Sequence, residues 1–271
     1  MAERRCQYRS AVFRGITVLF GLCLLLGALP DDRIHAEGPL LPLSPGERLT
    51  FRVKWAFIPA GEAVLQTLAV ETLKGVPCYH FVMTAKSNSV VDPFYKVRAR
   101  IDAYTDTAMT HSMLYREKKT GKRQKDVVLD FDWEKNEARY SNFGVKSDPI
   151  PLIPGSFDPL SVFYAFRLSD LKKGLEIRRP VTDGKKCIVG DAEVIRRERI
   201  KVADRIYDTF LVEPDVEDIG GVFKKIKDAK LQIWVTADTR RIPVRVKGKV
   251  RIGTIVADLV SMEIPKHGRA Q

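Results

Sequence analysis

Through most of the stretch from Gly46 to Ile264, apolar and polar residues alternate with a period of two. That is the pattern of strands that bury one face and solvate the other. Leu49, Phe51, Val53 and Trp55 share one side, with Arg48, Thr50, Arg52 and Lys54 on the other. Ile58-Pro-Ala-Gly61 reads as a turn into a returning segment over 62–71, and Lys74-Gly75 breaks the pattern before 78–86. There Tyr79, Phe81, Met83 and Ala85 oppose His80, Val82, Thr84 and Lys86. Beyond Asp92-Pro93, Val97, Ala99, Ile101 and Ala103 alternate with Lys96, Arg98, Arg100 and Asp102. Strands over 112–118, 126–132 and 137–143 are separated by turn signals at 119–122 and 134–136, and Asp183-Gly184 marks a further hairpin. The pattern predicts more strands over 185–199, 206–213, 231–236, 243–249 and 251–264, with a polar, glycine-bearing stretch at 214–229 that reads as a mobile loop or a short helix cap.

One segment has helical spacing instead. Asp158 is a good N-cap, Pro159 suits the first helical position, and Leu160, Phe163, Tyr164 and Phe166 fall near one face. Cations at Lys172-Lys173 and a glycine at 174 predict its end there. About a dozen strands at roughly ten-residue spacing, with one helix, argue for an all-β barrel or sandwich. Nothing between 47–150 and 175–264 reads as a linker, so 46–264 is expected to be a single β-rich domain. A proline-rich extended lead-in precedes it at 37–45, and a tail follows at 265–271.

The N-terminus changes where this domain is expected to work. Arg4, Arg5, Arg9 and Arg14 precede an uncharged apolar run from Gly15 to Leu29, and Ala36 offers a small residue for cleavage. A basic segment, a short apolar core and a small residue at the cut read as a signal peptide over 1–36. The run is about fifteen residues where roughly twenty span a bilayer. Periplasmic location with no stable span after cleavage is the expectation, and an uncleaved leader anchored in the inner membrane is the alternative. Removing the leader takes five arginines and three acids from the chain's 46 cations and 34 acids, leaving a net charge of +10. Outside the cytoplasm such charge points to anionic lipid or envelope polymers rather than nucleic acid. Plain solubility explains it equally well.

Cys78 and Cys187 remain after the leader, an even pair that an oxidising compartment leaves open between a disulfide and two free thiols. Chemistry is otherwise sparse. His80, His111 and His267 are far apart, and zinc needs three or four protein ligands, so neither metal nor cofactor is expected. Ser169-Asp-Leu-Lys172 and Lys119-Thr-Gly121 mimic the motifs of penicillin-recognising serine enzymes, but in inverted order and with the serine late on its helix. Asp130 and Asp132 share a strand side opposite Leu129 and Phe131, where acids face water. An enzyme is therefore not expected.

The most distinctive string runs from Leu231 to Val246. Leu231, Ile233 and Val235 lie opposite Trp234, Asp238 suits an Asx-type turn, and Pro243 removes a backbone donor where the next strand starts. This hairpin, together with Gly46-Glu-Arg-Leu-Thr-Phe-Arg-Val-Lys-Trp55, Ile58-Pro-Ala-Gly61 and Asp158-Pro-Leu-Ser161, resembles the bacterial envelope family known as domain of unknown function 3108, over about residues 44–264. The resemblance implies a secreted or periplasmic protein with a single curved antiparallel sheet, an open barrel or β-spiral, wrapped around one main α-helix. It implies no catalytic residues. The hairpin is also similar, more weakly, to periplasmic lipoprotein carriers, whose half-barrels cradle acyl chains.

Two functions follow as expectations. In the first, a non-enzymatic envelope protein binds an acyl chain or an apolar protein segment between sheet and helix. Phe51, Trp55, Phe81, Phe131, Phe163, Phe166 and Trp234 would line that concavity, with Lys96, Arg98 and Arg100 near a head group. In the second, the same aromatics fill a core, and the protein supports the envelope by contacting a lipid, a lipoprotein or an anionic envelope component.

Overall fold

The computed structural model describes residues 43–121, 124–215, 230–250 and 253–265, with only the backbone of Val250. The predicted leader, residues 37–42 of the lead-in, residues 216–229 of the polar stretch and the tail from 266 lie outside the described residues.

Alternation dominates and the fold is all-β. The first strands are β1 (Arg48–Trp55), β2 (Ile58–Thr67), β3 (Glu71–Leu73) and β4 (Val76–Ser87). A short helix, α1 (Asp92–Tyr95), leads to β5 (Val97–Asp106), β6 (Ser112–Gly121), β7 (Lys125–Asp132) and β8 (Glu137–Asn142). Two-residue strands β9 (Val145–Lys146) and β10 (Ile150–Pro151) precede α2 (Ser161–Ala165) and a 3-10 turn at Phe166–Leu168. The chain returns to strand as β11 (Glu176–Thr182), β12 (Cys187–Val202), β13 (Arg205–Pro214), β14 (Leu231–Thr236), β15 (Pro243–Val250) and β16 (Gly253–Glu263).

All sixteen described strands belong to one antiparallel sheet ordered β10-β8-β7-β6-β5-β4-β2-β1-β16-β15-β14-β13-β12-β11, with β3 on β4 and β9 on β8. No ladder among the described residues joins β10 to β11, so the sheet is open. The connection between those edges nevertheless binds both. Ile150 pairs with Ala138 of β8, while Phe157 forms a parallel bridge with Val181 of β11. The β11–β12 turn seats against β7 and β8. A Cβ on Gly184 would lie 2.8 Å from Leu129 and 2.9 Å from Tyr140, so only glycine allows this approach.

The faces sort as the period of two requires. Leu49, Phe51, Leu65, Phe81, Ala103, Leu129 and Phe131 bury one side against Leu160 and Tyr164. Each such side chain contributes about 1.5–3 kcal/mol by leaving water. A second cluster gathers Phe166, Leu171, Ile177, Val194, Val212, Ile233 and Val235.

Three details differ from the sequence reading. There is no single main helix: α2 is five residues, and the chain leaves the 3-10 turn at Ser169 (ψ 144°) rather than at 172–174. Leu171 is needed in the second cluster, and Gly174 N–H donates to Val194 O at 2.7 Å, so these residues are taken by β12 instead of extending a helix. The first turn is Ala56-Phe57, and Ile58-Pro-Ala-Gly61 is strand, with Trp55 opposite Ile58 and a bulge at Val53/Lys54. Gly61 permits this, since its missing Cβ would sit 2.1 Å from Lys86 O. The third is α1, whose four residues are too few for a periodic signal.

Candidate functional site

The interior comes first because the aromatics meet there. Phe51, Phe81 and Phe131 are buried in the larger cluster, and Tyr164 of α2 lies flat on Phe81, ring centroids 3.9 Å apart at 10°. Phe163 packs on both clusters, meeting Phe166 edge-on at 5.5 Å, and Phe166 belongs to the second cluster. Trp234 joins the larger cluster while its neighbours Ile233 and Val235 join the other, and its Nε1–H donates to Glu198 Oε1 at 2.9 Å. Trp55 stands half-buried at the end of β1. Tyr164 therefore occupies the space between α2 and the sheet, and its burial raises the phenol pKa.

The cations lie on the other side of the same strands. Arg98 and Arg100 are two residues apart on β5, opposite in phase to Ala99, Ile101 and Ala103, so alternation points them away from Phe81. With Arg48, Lys86 and Lys118 they line a groove of about 430 Å³ crossing β1, β2, β4, β5 and β6, with Val64 and Thr84 also in its wall. Glu62 is the one carboxylate among the lining residues. Lys96 follows α1 and lies outside that lining. The aromatics and the head-group cations singled out by sequence are therefore split across the sheet instead of converging.

Pairing decides which charges are available. Lys86 meets Glu62 at 3.1 Å, Arg98 forms two hydrogen bonds to Asp92, and Arg100 clamps Asp102 through Nε and Nη2 at 2.8 and 2.6 Å. Asp102 also contacts His80 Nε2 at 2.9 Å, while His80 Nδ1 contacts Glu71 at 2.8 Å and its ring stacks on Tyr104. Burial pushes Asp102 up, but hydrogen bonds from Arg100 and His80 outweigh it and hold the carboxyl below its ordinary pKa. Among the described residues, Arg48 and Lys118 have no carboxylate within salt-bridge distance. A second groove, about 460 Å³, has the opposite sign: Glu176, Asp191, Glu193, Glu213 and Asp215 outnumber Arg178 and Lys230.

The fully buried Asp158 organises the start of α2. Its Oδ1 accepts from the N–H groups of Leu160 and Ser161 at 2.8 and 2.9 Å, and its Oδ2 accepts from Ser112 Oγ at 2.6 Å. Pro159 follows where a backbone donor is not needed. Burial holds the Asp158 carboxyl above its usual pKa, with the bonds from Ser112, Ser161 and Leu160 pulling the other way. Removing it with Asp158→Ala should cost about 2–3 kcal/mol, the sum of a lost cap and of stranded buried donors, measured by urea unfolding. With a folded pKa above the unfolded one, Asp158 adds stability as pH falls from neutral toward the ordinary carboxylate range. Wild type should thus gain on Asp158→Asn over that interval; parallel pH profiles would contradict the assignment.

Asp238 accepts from Thr236 Oγ1 and from Arg240, closing the β14–β15 turn, and Pro243 is the first residue of β15. Cys78 and Cys187 are both free thiols, which answers the open pairing: Cys78 Sγ contacts Val76 O, and Cys187 Sγ lies 3.1 Å from Ser156 Oγ on a different part of the sheet. A feature absent from the sequence reading is the pair Arg167–Glu47. Both are buried, and the guanidinium forks onto the carboxylate at 2.7 and 2.9 Å while also donating to Arg240 O. The only sequence signal was an arginine between Phe166 and Leu168. Among the described residues, no cluster of three or more His, Cys, Asp or Glu could hold a metal ion, and no helix is long and apolar enough to cross a membrane.

Comparison with known proteins adds fold and family. A family model, "Protein of unknown function (DUF3108)", matches residues 50–260. The beta-barrel-like protein of domain of unknown function DUF1849 from Brucella abortus is similar in structure. Its TM-score is 0.55 at 10% identity, with 83% of this chain and 99% of that one covered. A "putative lipoprotein" from Parabacteroides distasonis superposes at a TM-score of 0.31 and 12% identity, over 82% of this chain and 97% of that one. No curated protein matches.

Proposed function

The chain belongs to the DUF3108 family of proteins of unknown function, and on that premise we propose that it is a non-enzymatic envelope protein whose basic sheet face receives anionic groups. The observation that carries this reading is the groove, where Arg48 and Lys118 have no carboxylate partner among the described residues while Lys86, Arg98 and Arg100 are paired with Glu62, Asp92 and Asp102. The signal peptide expected over residues 1–36 from the sequence supports a periplasmic setting, where phosphate-bearing lipid head groups and envelope polymers are the abundant anions. The interior favours this reading over acyl-chain carriage, because Tyr164 and Phe81 already occupy the position an acyl chain would take between sheet and helix.

Arg48 and Lys118 give a test that leaves the fold intact. Neither has an internal carboxylate to lose, so reversing them should change stability by no more than about 0.5 kcal/mol. Monomeric dihexanoyl phosphatidylglycerol and inorganic pyrophosphate serve as soluble probes in calorimetric titrations. The double variant Arg48→Glu, Lys118→Glu should bind either probe at least about tenfold more weakly, and raising salt should weaken the wild type. Affinity indifferent to both changes would remove the groove from the function. Preference for the lipid over pyrophosphate would identify the head group as the natural source. Native mass spectrometry showing a retained acyl adduct would restore the carrier reading.

A further inference from the structure

Exposed apolar side chains are not spread evenly over this molecule. Six of the ten large exposed hydrophobics among the described residues lie at one end of the neighbouring strands β1 to β8: Phe57, Ile58, Val90, Phe94, Phe143 and Val145. All three phenylalanines in that set are there, at 88%, 73% and 58% exposure. Phe57 caps the β1–β2 turn, Val90 and Phe94 sit in the β4–β5 connection, and Phe143 heads the β8–β9 turn. The β4–β5 connection is tied to the start of β2: Asn88 N–H donates to Ala60 O at 2.9 Å, and its side-chain amide to Pro59 O at 2.8 Å.

Turn chemistry does not ask for phenylalanine here. Phe143 adopts φ 51° ahead of Gly144 at φ 76°, a left-handed pair that favours asparagine or aspartate. Turns at the opposite end have polar tips, Lys74-Gly75, Glu134-Lys-Asn136 and Ala203-Asp204. Among the described residues, Lys96, Lys119 and Lys146, with Lys118 of the groove beside them, surround the apolar tips against Asp126 and Asp148, while Lys86 is paired with Glu62. Asp92 and Glu117 are already neutralised by Arg98 and Lys125. Aromatic tips with a collar of lysines match the interface of an anionic bilayer, where rings enter the acyl boundary and ammonium groups meet phosphates.

We propose that this end of the sheet is a membrane-docking edge that inserts Phe57, Phe94 and Phe143 into the interface of an anionic lipid bilayer. The edge adjoins the basic groove and shares Lys118 with it, but Phe57, Phe94 and Phe143 lie outside the groove lining, so the two surfaces can fail separately. The test floats the full chain with vesicles of phosphatidylethanolamine and phosphatidylglycerol, and with neutral phosphatidylcholine vesicles. The N-terminal apolar run is the same in every variant, so differences between variants read the edge. Phe57→Ser, Phe94→Ser, Phe143→Ser together should reduce partition onto anionic vesicles at least tenfold with an unchanged melting temperature. Val189→Ser with Ile206→Ser, exposed elsewhere, should leave it within twofold. Phe94→Trp should give an emission that shifts to the blue on anionic vesicles and much less on neutral ones. Loss of binding in the Arg48/Lys118 variant with full binding in the triple serine variant would assign lipid contact to the groove and overturn the edge. So would a triple variant that binds vesicles normally but loses a protein cross-linked through position 57 in cells, because the edge would then dock protein.

Discussion

Replacing Glu47 by alanine should lower the unfolding free energy by about 3–5 kcal/mol, the cost of leaving a buried guanidinium without its counter-charge. Arg167 has no solvent-exposed side-chain surface, and Glu47 has 2%. The other contacts of Arg167 include the Arg240 carbonyl and the Tyr164 ring, 5.6 Å away. At about 2–4 °C per kcal/mol for a chain of this size, the melting point should drop by roughly 6–20 °C. The pair ties the entry to β1, the 3-10 turn and the β14–β15 turn, so the loss should appear as one cooperative transition at lower urea. A double replacement, Glu47→Leu with Arg167→Met, should recover most of the stability, since the desolvation penalty leaves with the charges. A loss below about 1 kcal/mol for the single variant would mean that water reaches Arg167.

Different parts of this molecule were legible to different degrees, and the reason is range. Strand phase depends on neighbours two residues away, so the sequence alone places Leu49, Phe51, Phe81 and Leu129 on a buried face. The extent of α2 depends on what lies beyond it. Lys172-Lys173-Gly174 looks like a helix end, yet Gly174 is claimed by Val194 of β12, a contact no local pattern contains. The Ile58-Pro-Ala-Gly61 string looks like a turn, but Gly61 serves a close approach to Lys86 of β4 instead. Glu47 and Arg167 are 120 residues apart and meet only because β1 and the 3-10 turn do.

The candidate site shows the same limit from another angle. The supply of aromatics suggests a lined concavity, with Lys96, Arg98 and Arg100 near a head group. The rule that placed Phe81 and Ile101 inside also placed Arg98 and Arg100 outside, so the grouping conflicted with the alternation it relied on. Once the phase is respected, the cations define a groove on the outer side of β1, β2, β4, β5 and β6, and the aromatics define a core. The proposed function shifts accordingly, from holding an acyl chain inside to meeting an anionic surface outside.

Tyr164→Ala tests that shift at its centre and should cost about 3–5 kcal/mol, the range for removing a large aromatic from a packed interior. The ring is fully buried and stacked on Phe81, so its removal leaves a void lined by Phe81 and the neighbouring core, which the short α2 can only partly close. Such an apolar void should take up benzene or a similar small hydrocarbon and be restabilised by it, whereas the wild type should show no shift in melting temperature with the same ligand. Tyr164→Phe should cost less than about 1 kcal/mol, because the bond of the hydroxyl to the Gln66 carbonyl is long, 3.4 Å. If alanine at 164 were tolerated within about 1 kcal/mol, the space between sheet and helix would already be hollow without that ring. Acyl-chain binding would then regain its place ahead of contact through the basic face.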